Sequence, residues 1–122
     1  MKHQAFSITK RLQSFGYAFN GLKILFKEEH NARVHLAATV LVIAASLFFE
    51  LNAFEWMAVI FAIGLVFMAE IFNSAIENLA DFMTTETNSK IKTIKDLAAA
   101  GVLLSAITAA SIGLLVFVPK IL

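Results

Sequence analysis

The chain has 122 residues, 59% of them hydrophobic, and ten Lys and Arg against nine Asp and Glu give a formal net charge of +1. That length carries one domain, and the apolar share lies above the usage of ordinary soluble domains. With no cysteine, a disulfide scaffold and a thiolate metal site are both excluded.

The first residues show no charged-then-apolar run ending at a cleavage site, so no signal peptide is expected, and His3 is expected to face solvent. Ile8, Leu12, Phe15, Phe19, Leu22 and Phe26 then recur at steps of three and four, with Lys10, Arg11, Lys23 and Lys27 mostly off that stripe. The pattern predicts an amphipathic helix over about residues 5–28, lying in the membrane interface with its cations toward anionic head groups. Packing of the same helix on the outside of its own bundle is the alternative, and the two are compatible. Gly16 and Gly21 are places where it could bend.

Val34 to Phe49 is nearly unbroken Val, Leu, Ala, Ile and Phe, enough to cross about 25 Å of a core roughly 30 Å thick. Trp56 to Ala69 is apolar throughout, and the pattern continues past Glu70 to Leu79; Leu97 to Val118 is a third apolar run. A soluble bundle would need a charged face on each helix, which residues 34–49 and 97–118 lack. The expected architecture is therefore all-α and integral to a membrane, one domain over 1–122 with spans at about 33–50, 55–81 and 96–118. In the third span Gly101, Ser105, Ala109 and Gly113 fall at strict four-residue steps, a small-residue ridge that lets helices approach closely in lipid. Three helices bury little by themselves, so a homo-oligomer is expected.

Nine of the ten Lys and Arg lie before Val34 or between Lys90 and Lys95, and the hairpin "ELNAFEW" at 50–56 has none. The positive-inside rule places the N-terminus and the 82–96 loop in the cytoplasm, with Trp56 where an interfacial aromatic belongs.

Against this apolar background, "MAEIFNSAIENLAD" at 68–81 puts Glu70, Asn73, Ser74, Glu77 and Asp81 on one face of the second span. Glu70 lies about 21 Å inward of Trp56 at 1.5 Å per residue. The stripe begins within the inner leaflet and runs toward the cytoplasm. A carboxylate at such depth is costly unless paired, protonated or metal-bound. Interhelical hydrogen bonding accounts for Asn73 and Ser74 as readily as function does. Two acidic side chains seven apart on that face repel, and call for a metal ion or lysines.

Both are within reach. "KEEHNARVH" at 27–35 brings Glu28, Glu29, His30, Arg33 and His35 to the same side, and "KTIKDLAAAG" at 92–101 brings Lys95 and Asp96. Mg²⁺ prefers oxygen ligands and is commonly completed by substrate phosphates; Glu29 and Glu77 would supply the carboxylates and Lys95 a charge toward phosphate. His30 and His35 are expected to be interfacial hydrogen-bonders. Glu70, deepest in the stripe, is the candidate to accept a proton from a hydroxyl. The layout suits phosphoryl transfer to a lipid alcohol, which depends mainly on positioning and charge neutralisation. No Gly-x-x-x-x-Gly-Lys-Ser/Thr or Gly-x-Gly-x-x-Gly cradle is present, and on the residues alone a membrane site of unspecified chemistry ranks first.

"AEIFNSAIENLAD" followed by "KDLAAAGVLLSA", together with "FGYAFNGLK" at 15–23 and the Glu of "KEEHNARVH", resembles the prokaryotic diacylglycerol kinase family over essentially the whole chain. The resemblance implies a homotrimeric lipid kinase of the bacterial inner membrane, with three transmembrane helices and an N-terminal surface helix. ATP would be its phosphoryl donor, Mg²⁺ its cofactor, and a membrane lipid its acceptor; no nucleic-acid partner is expected. By resemblance Glu70 is the catalytic base, and Glu29 and Glu77 hold the nucleotide's metal. Lys95 and Asp96 contact the nucleotide, with Lys10, Tyr17 and Glu86 near it. Asn73 matches the family's active-site asparagine, and Ser74, Asp81 and Arg33 are placed as supporting residues. The family's sites form between subunits.

Family members act on diacylglycerol or on undecaprenol. "HNARVH" at 30–35 is similar to the polyprenol-using branch, whereas the family's name favours diacylglycerol, so both acceptors stay open. A small oligomeric channel or proton-coupled carrier is the competing class. It predicts polar groups through the full membrane depth, whereas the outer half of the second span is Val, Ile, Phe and Leu.

Overall fold

The computed structural model describes residues 5–86 and 88–122; His3 lies outside them. Those residues form four helices and no strand: α1 (Ile8–Glu28), α2 (His30–Phe48), α3 (Ala53–Met83) and α4 (Ser89–Ile121). The last three are long and apolar enough to cross a membrane. At 1.5 Å per residue α2 is about 28 Å long, α3 about 46 Å and α4 about 50 Å. α3 and α4 thus outrun a hydrocarbon core of roughly 30 Å by several turns, and both extend beyond their apolar runs.

Side-chain caps fix three of the four starts. Ser7 accepts from the backbone N–H of Lys10, and Asn88 accepts from that of Ile91. At α3 the cap is reciprocal: Asn52 Oδ1 accepts from Glu55 N at 2.9 Å while Glu55 Oε1 accepts from Asn52 N at 2.9 Å, satisfying two otherwise orphaned donors. The preceding Glu50 turns the chain at φ 51°, a left-handed conformation that is uncommon outside glycine.

The α2–α3 hairpin anchors the buried apolar cluster of Leu51, Val59 and Val116, against which Val42, Phe49, Trp56 and Phe117 pack. Trp56, expected at an interface, is half-buried against this cluster. Lys120 Nζ meets Glu55 Oε2 at 2.9 Å, tying the end of α4 to the start of α3. The α3–α4 pair is the most extensive packing in the chain, whereas α1 and α2 touch the rest lightly. Because α2 and α4 make no close backbone approach among the described residues, a cleft of about 120 Å³ opens between α2, α3 and α4, with His35 in its wall.

Large apolar side chains stay exposed along α2, α3 and α4, among them Leu41, Phe48, Phe61, Phe72 and Leu115. Such surfaces are stable in lipid and not in water. A Cβ at Gly101 would meet nothing within 4 Å, so this position of the small-residue ridge is not consumed inside the protomer. Ser105, one step along, is buried.

Candidate active site

The polar stripe of α3 meets the α1–α2 junction at the end opposite the hairpin. That junction is a single residue. Glu29 donates its backbone N–H to Leu25 O at 2.9 Å, completing α1, and its carbonyl accepts from Arg33 N at 3.4 Å, opening α2. Its own backbone is extended, φ −104° and ψ 112°. Leu25 and Ala32 on either side are fully buried, and Arg33 Nη2 donates to Lys27 O at 3.0 Å, satisfying a carbonyl that the end of α1 leaves open. The Glu29 carboxylate is thereby aimed at α3, where Oε1 accepts from Ser74 Oγ at 3.1 Å. Asn78 Nδ2 donates to Ser74 O at 2.8 Å, bracing the same turn.

One turn deeper, Glu70 is 1% exposed. Its Oε1 lies 3.2 Å from His35 Nε2 of α2, yet that oxygen has no aligned hydrogen-bond donor. Distance and alignment disagree here, and alignment decides: this is a contact, not a hydrogen bond. Glu29 and Glu77 are near enough to act on Glu70 electrostatically, and Glu77 is half-buried. Asn73 Oδ1 is a second buried acceptor without a donor. Two such acceptors in one buried turn are unusual in a packed interior and point to a site that takes donors or cations from elsewhere. Phe26 of α1 stacks edge-on against Phe67, their centroids 5.8 Å apart, a turn above Glu70 on the hairpin side.

The remaining candidates are closer to the surface. Lys95 Nζ is 2.6 Å from Asp81 Oδ1, joining α4 to α3, and Asp96 is paired with Lys92 at 2.6 Å. Lys10 and Tyr17 are exposed on α1, and Glu86 is exposed in the α3–α4 loop. Within one chain these three are not part of the buried group around Glu70. Along that helix, between α1 and α3, runs an open groove of about 510 Å³ whose wall includes Gly21, Leu25, Ser74 and Asn78.

Among the described residues no three His, Asp or Glu side chains are placed to hold a metal ion. Two carboxylates, Glu29 and Glu77, flank Glu70, and Asn73 offers an unmet oxygen. A Mg²⁺ ion that takes its other ligands from phosphates and water needs one or two carboxylates, so this oxygen-only donor set fits it. His35 and Asn78 were not singled out from sequence as site residues. For His35 the available signal was a histidine at the mouth of an apolar span; Asn78 offered only its place four residues after Ser74.

Residues 16–117 match the family model described as prokaryotic diacylglycerol kinase. The chain belongs to that family. It is 34% identical over 114 residues to the undecaprenol kinase of Bacillus subtilis, covering 93% of each chain. It is 33% identical over 112 residues to the diacylglycerol kinase of Synechocystis, covering 91% of this chain and 64% of that one. The diacylglycerol kinase of Escherichia coli K12 is 28% identical over 109 residues, 89% of each chain. Membership brings a reaction class with it: the protein is a multi-pass membrane lipid kinase, a phosphotransferase with an alcohol acceptor.

Proposed function

We propose that this protein transfers the γ-phosphate of Mg-ATP to the hydroxyl of undecaprenol, giving undecaprenyl phosphate. The observation that carries the site is the buried Glu70 carboxylate flanked by Glu29 and Glu77, in a chain whose family phosphorylates lipid alcohols. For the acceptor, the support is the relative named undecaprenol kinase, 34% identical over 93% of both chains; relatives named diacylglycerol kinase are 33% identical over 91% of this chain and 64% of theirs, and 28% identical over 89% of each. Diacylglycerol is the second acceptor to be tested.

In this reading the protein lies in the bacterial inner membrane as a homotrimer, with its N-terminus cytoplasmic and α1 on the inner surface. Glu70 accepts the hydroxyl proton as the oxygen attacks phosphorus in line. Being dry, the carboxylate presents its charge without a competing water shell. Glu29 and Glu77 would hold the divalent ion, which would offset the charge of the nucleotide phosphates. Ser74 fixes the Glu29 carboxylate through the 3.1 Å hydrogen bond, and Arg33 locks the junction that carries it. Asn73 contributes its unmet Oδ1. Lys95 and Asp96 contact the nucleotide, as do Lys10, Tyr17 and Glu86 brought in from an adjacent subunit. Asp81 holds Lys95 until phosphate displaces it. A channel is disfavoured because the α3 wall of the cleft above Glu70 is the apolar Val59, Ala62, Ile63 and Val66.

The test is labelled-phosphate transfer from Mg-ATP to undecaprenol and to diacylglycerol in separate mixed micelles. Product with undecaprenol at the higher kcat/KM supports the assignment, and product with diacylglycerol alone reverses the choice of acceptor. Absence of product with both refutes the function. Glu70→Gln is expected to lower turnover at least about 100-fold, the lower end of general-base effects, with Mg-ATP binding retained.

A further inference from the structure

Glu70 raises a question that its role as a base leaves open. A carboxyl group that has taken a proton in a water-poor site must lose it before the next turnover, and with 1% exposure Glu70 has no direct route to solvent. We infer that His35 is that route: a positioning residue that orients Glu70 and relays its proton outward. The inference rests on the reading of Glu70 as the base.

Three observations carry it. His35 Nε2 stands 3.2 Å from Glu70 Oε1, close enough for a proton to pass, and Oε1 has no aligned hydrogen-bond donor of its own. The His35 side chain is 26% exposed against 2% for Glu70, so within the protomer the pair steps from buried to partly exposed. His35 also sits on a regular helix: it lies in the second turn of α2, where Thr39 Oγ1 donates to its backbone carbonyl at 2.7 Å. The other groups that act on Glu70 are Glu29 from the α1–α2 junction and Glu77 from α3 itself; α4 contributes no charge there among the described residues. Both glutamates are assigned to the metal, which leaves the imidazole as proton carrier.

The proton balance is simple. The lipid hydroxyl gives its proton to Glu70 as the oxygen–phosphorus bond forms and the bond to the ADP leaving oxygen breaks. Glu70 passes that proton from Oε1 to the lone pair of His35 Nε2, with the other ring nitrogen already carrying hydrogen. The imidazolium then releases one proton to water, and the pair returns to neutral imidazole and carboxylate. Histidine suits the step because one ring nitrogen can accept a proton while the other releases one.

The experiment compares wild type, His35→Gln, His35→Ala and Glu70→Gln as purified full-length protein in lipid micelles. Elution volume and Mg-ATP affinity serve as controls for folding. Both His35 variants are expected to lose about 10- to 100-fold in kcat between about pH 6 and 8, within the range of acid–base contributions. KM for Mg-ATP and for lipid should stay within about twofold, as when an interaction confined to the transition state is removed. Added imidazole should restore part of the His35→Ala rate and none of the Glu70→Gln rate. A His35→Gln enzyme with wild-type kcat overturns the relay. So does a loss seen mainly as raised KM, or one that imidazole does not rescue, since packing alone would produce it. If Glu70→Gln keeps full turnover, the base assignment itself fails, and that result is separable from the fate of His35.

Discussion

Replacing Ser74 by Ala tests the site's geometry with the smallest change available. The substitution deletes one oxygen from a buried position, 7% exposed, and removes the hydrogen bond that holds Glu29 Oε1 at 3.1 Å. Hydrogen bonds to charged acceptors contribute about 1.5–3 kcal/mol. This one is at the long end for a hydroxyl donor, and Glu29 is only half-buried, so about 1–2 kcal/mol is the appropriate figure. If the bond keeps the carboxylate ready for the nucleotide's metal, that energy is lost from binding, since the freed carboxylate must be ordered anew. At about 1.4 kcal/mol per factor of ten, KM for Mg-ATP should rise roughly 5- to 30-fold, with the Mg²⁺ requirement rising in parallel and kcat nearly constant. Ser74→Thr, which keeps the hydroxyl, should recover most of the loss. The assay is initial-rate phosphoryl transfer with Mg²⁺ and ATP varied independently. A Ser74→Ala enzyme with wild-type Mg²⁺ dependence would refute the argument that Glu29 is held for the metal.

Two further outcomes are expected. Lys95→Ala removes the 2.6 Å tie to Asp81 and the charge proposed to meet phosphate, and should raise KM for ATP with little change in KM for lipid, measured by the same rate assay. Gly101→Leu fills space that is open within the protomer; it should leave helix content unchanged by circular dichroism while shifting the protein to a smaller oligomer by light scattering in detergent.

The three spans were legible because lipid demands long uniform apolar runs, and residues 34–49, 56–69 and 97–118 supply them with little ambiguity. The stripe on α3 was equally plain, since helical periodicity alone aligns Glu70 with Ser74 and Glu77. What stayed hidden depends on how helices rotate about one another. Nothing in "KEEHNARVH" marks Glu29 as the one residue between two helices, for no glycine or proline punctuates it; burial of Leu25 and Ala32 on either side makes the break. His35 reads as an ordinary interfacial histidine until α2 is set against α3. Lys95 was assigned toward phosphate from its position, but the return of the chain through the α3–α4 loop brings it to Asp81 first. Trp56 offered its usual interfacial signature, and its packing against the cluster at the hairpin was not readable from it.

Glu29 belongs to neither helix, yet it donates a backbone hydrogen bond to α1 and accepts one from α2. Its carboxylate therefore registers the angle between α1 and α2. One residue added or deleted at this joint would swing the whole of α2 by about 100° relative to α1 and carry His35 away from Glu70. In such a variant every site residue would still be present in the chain, and their common focus would be gone.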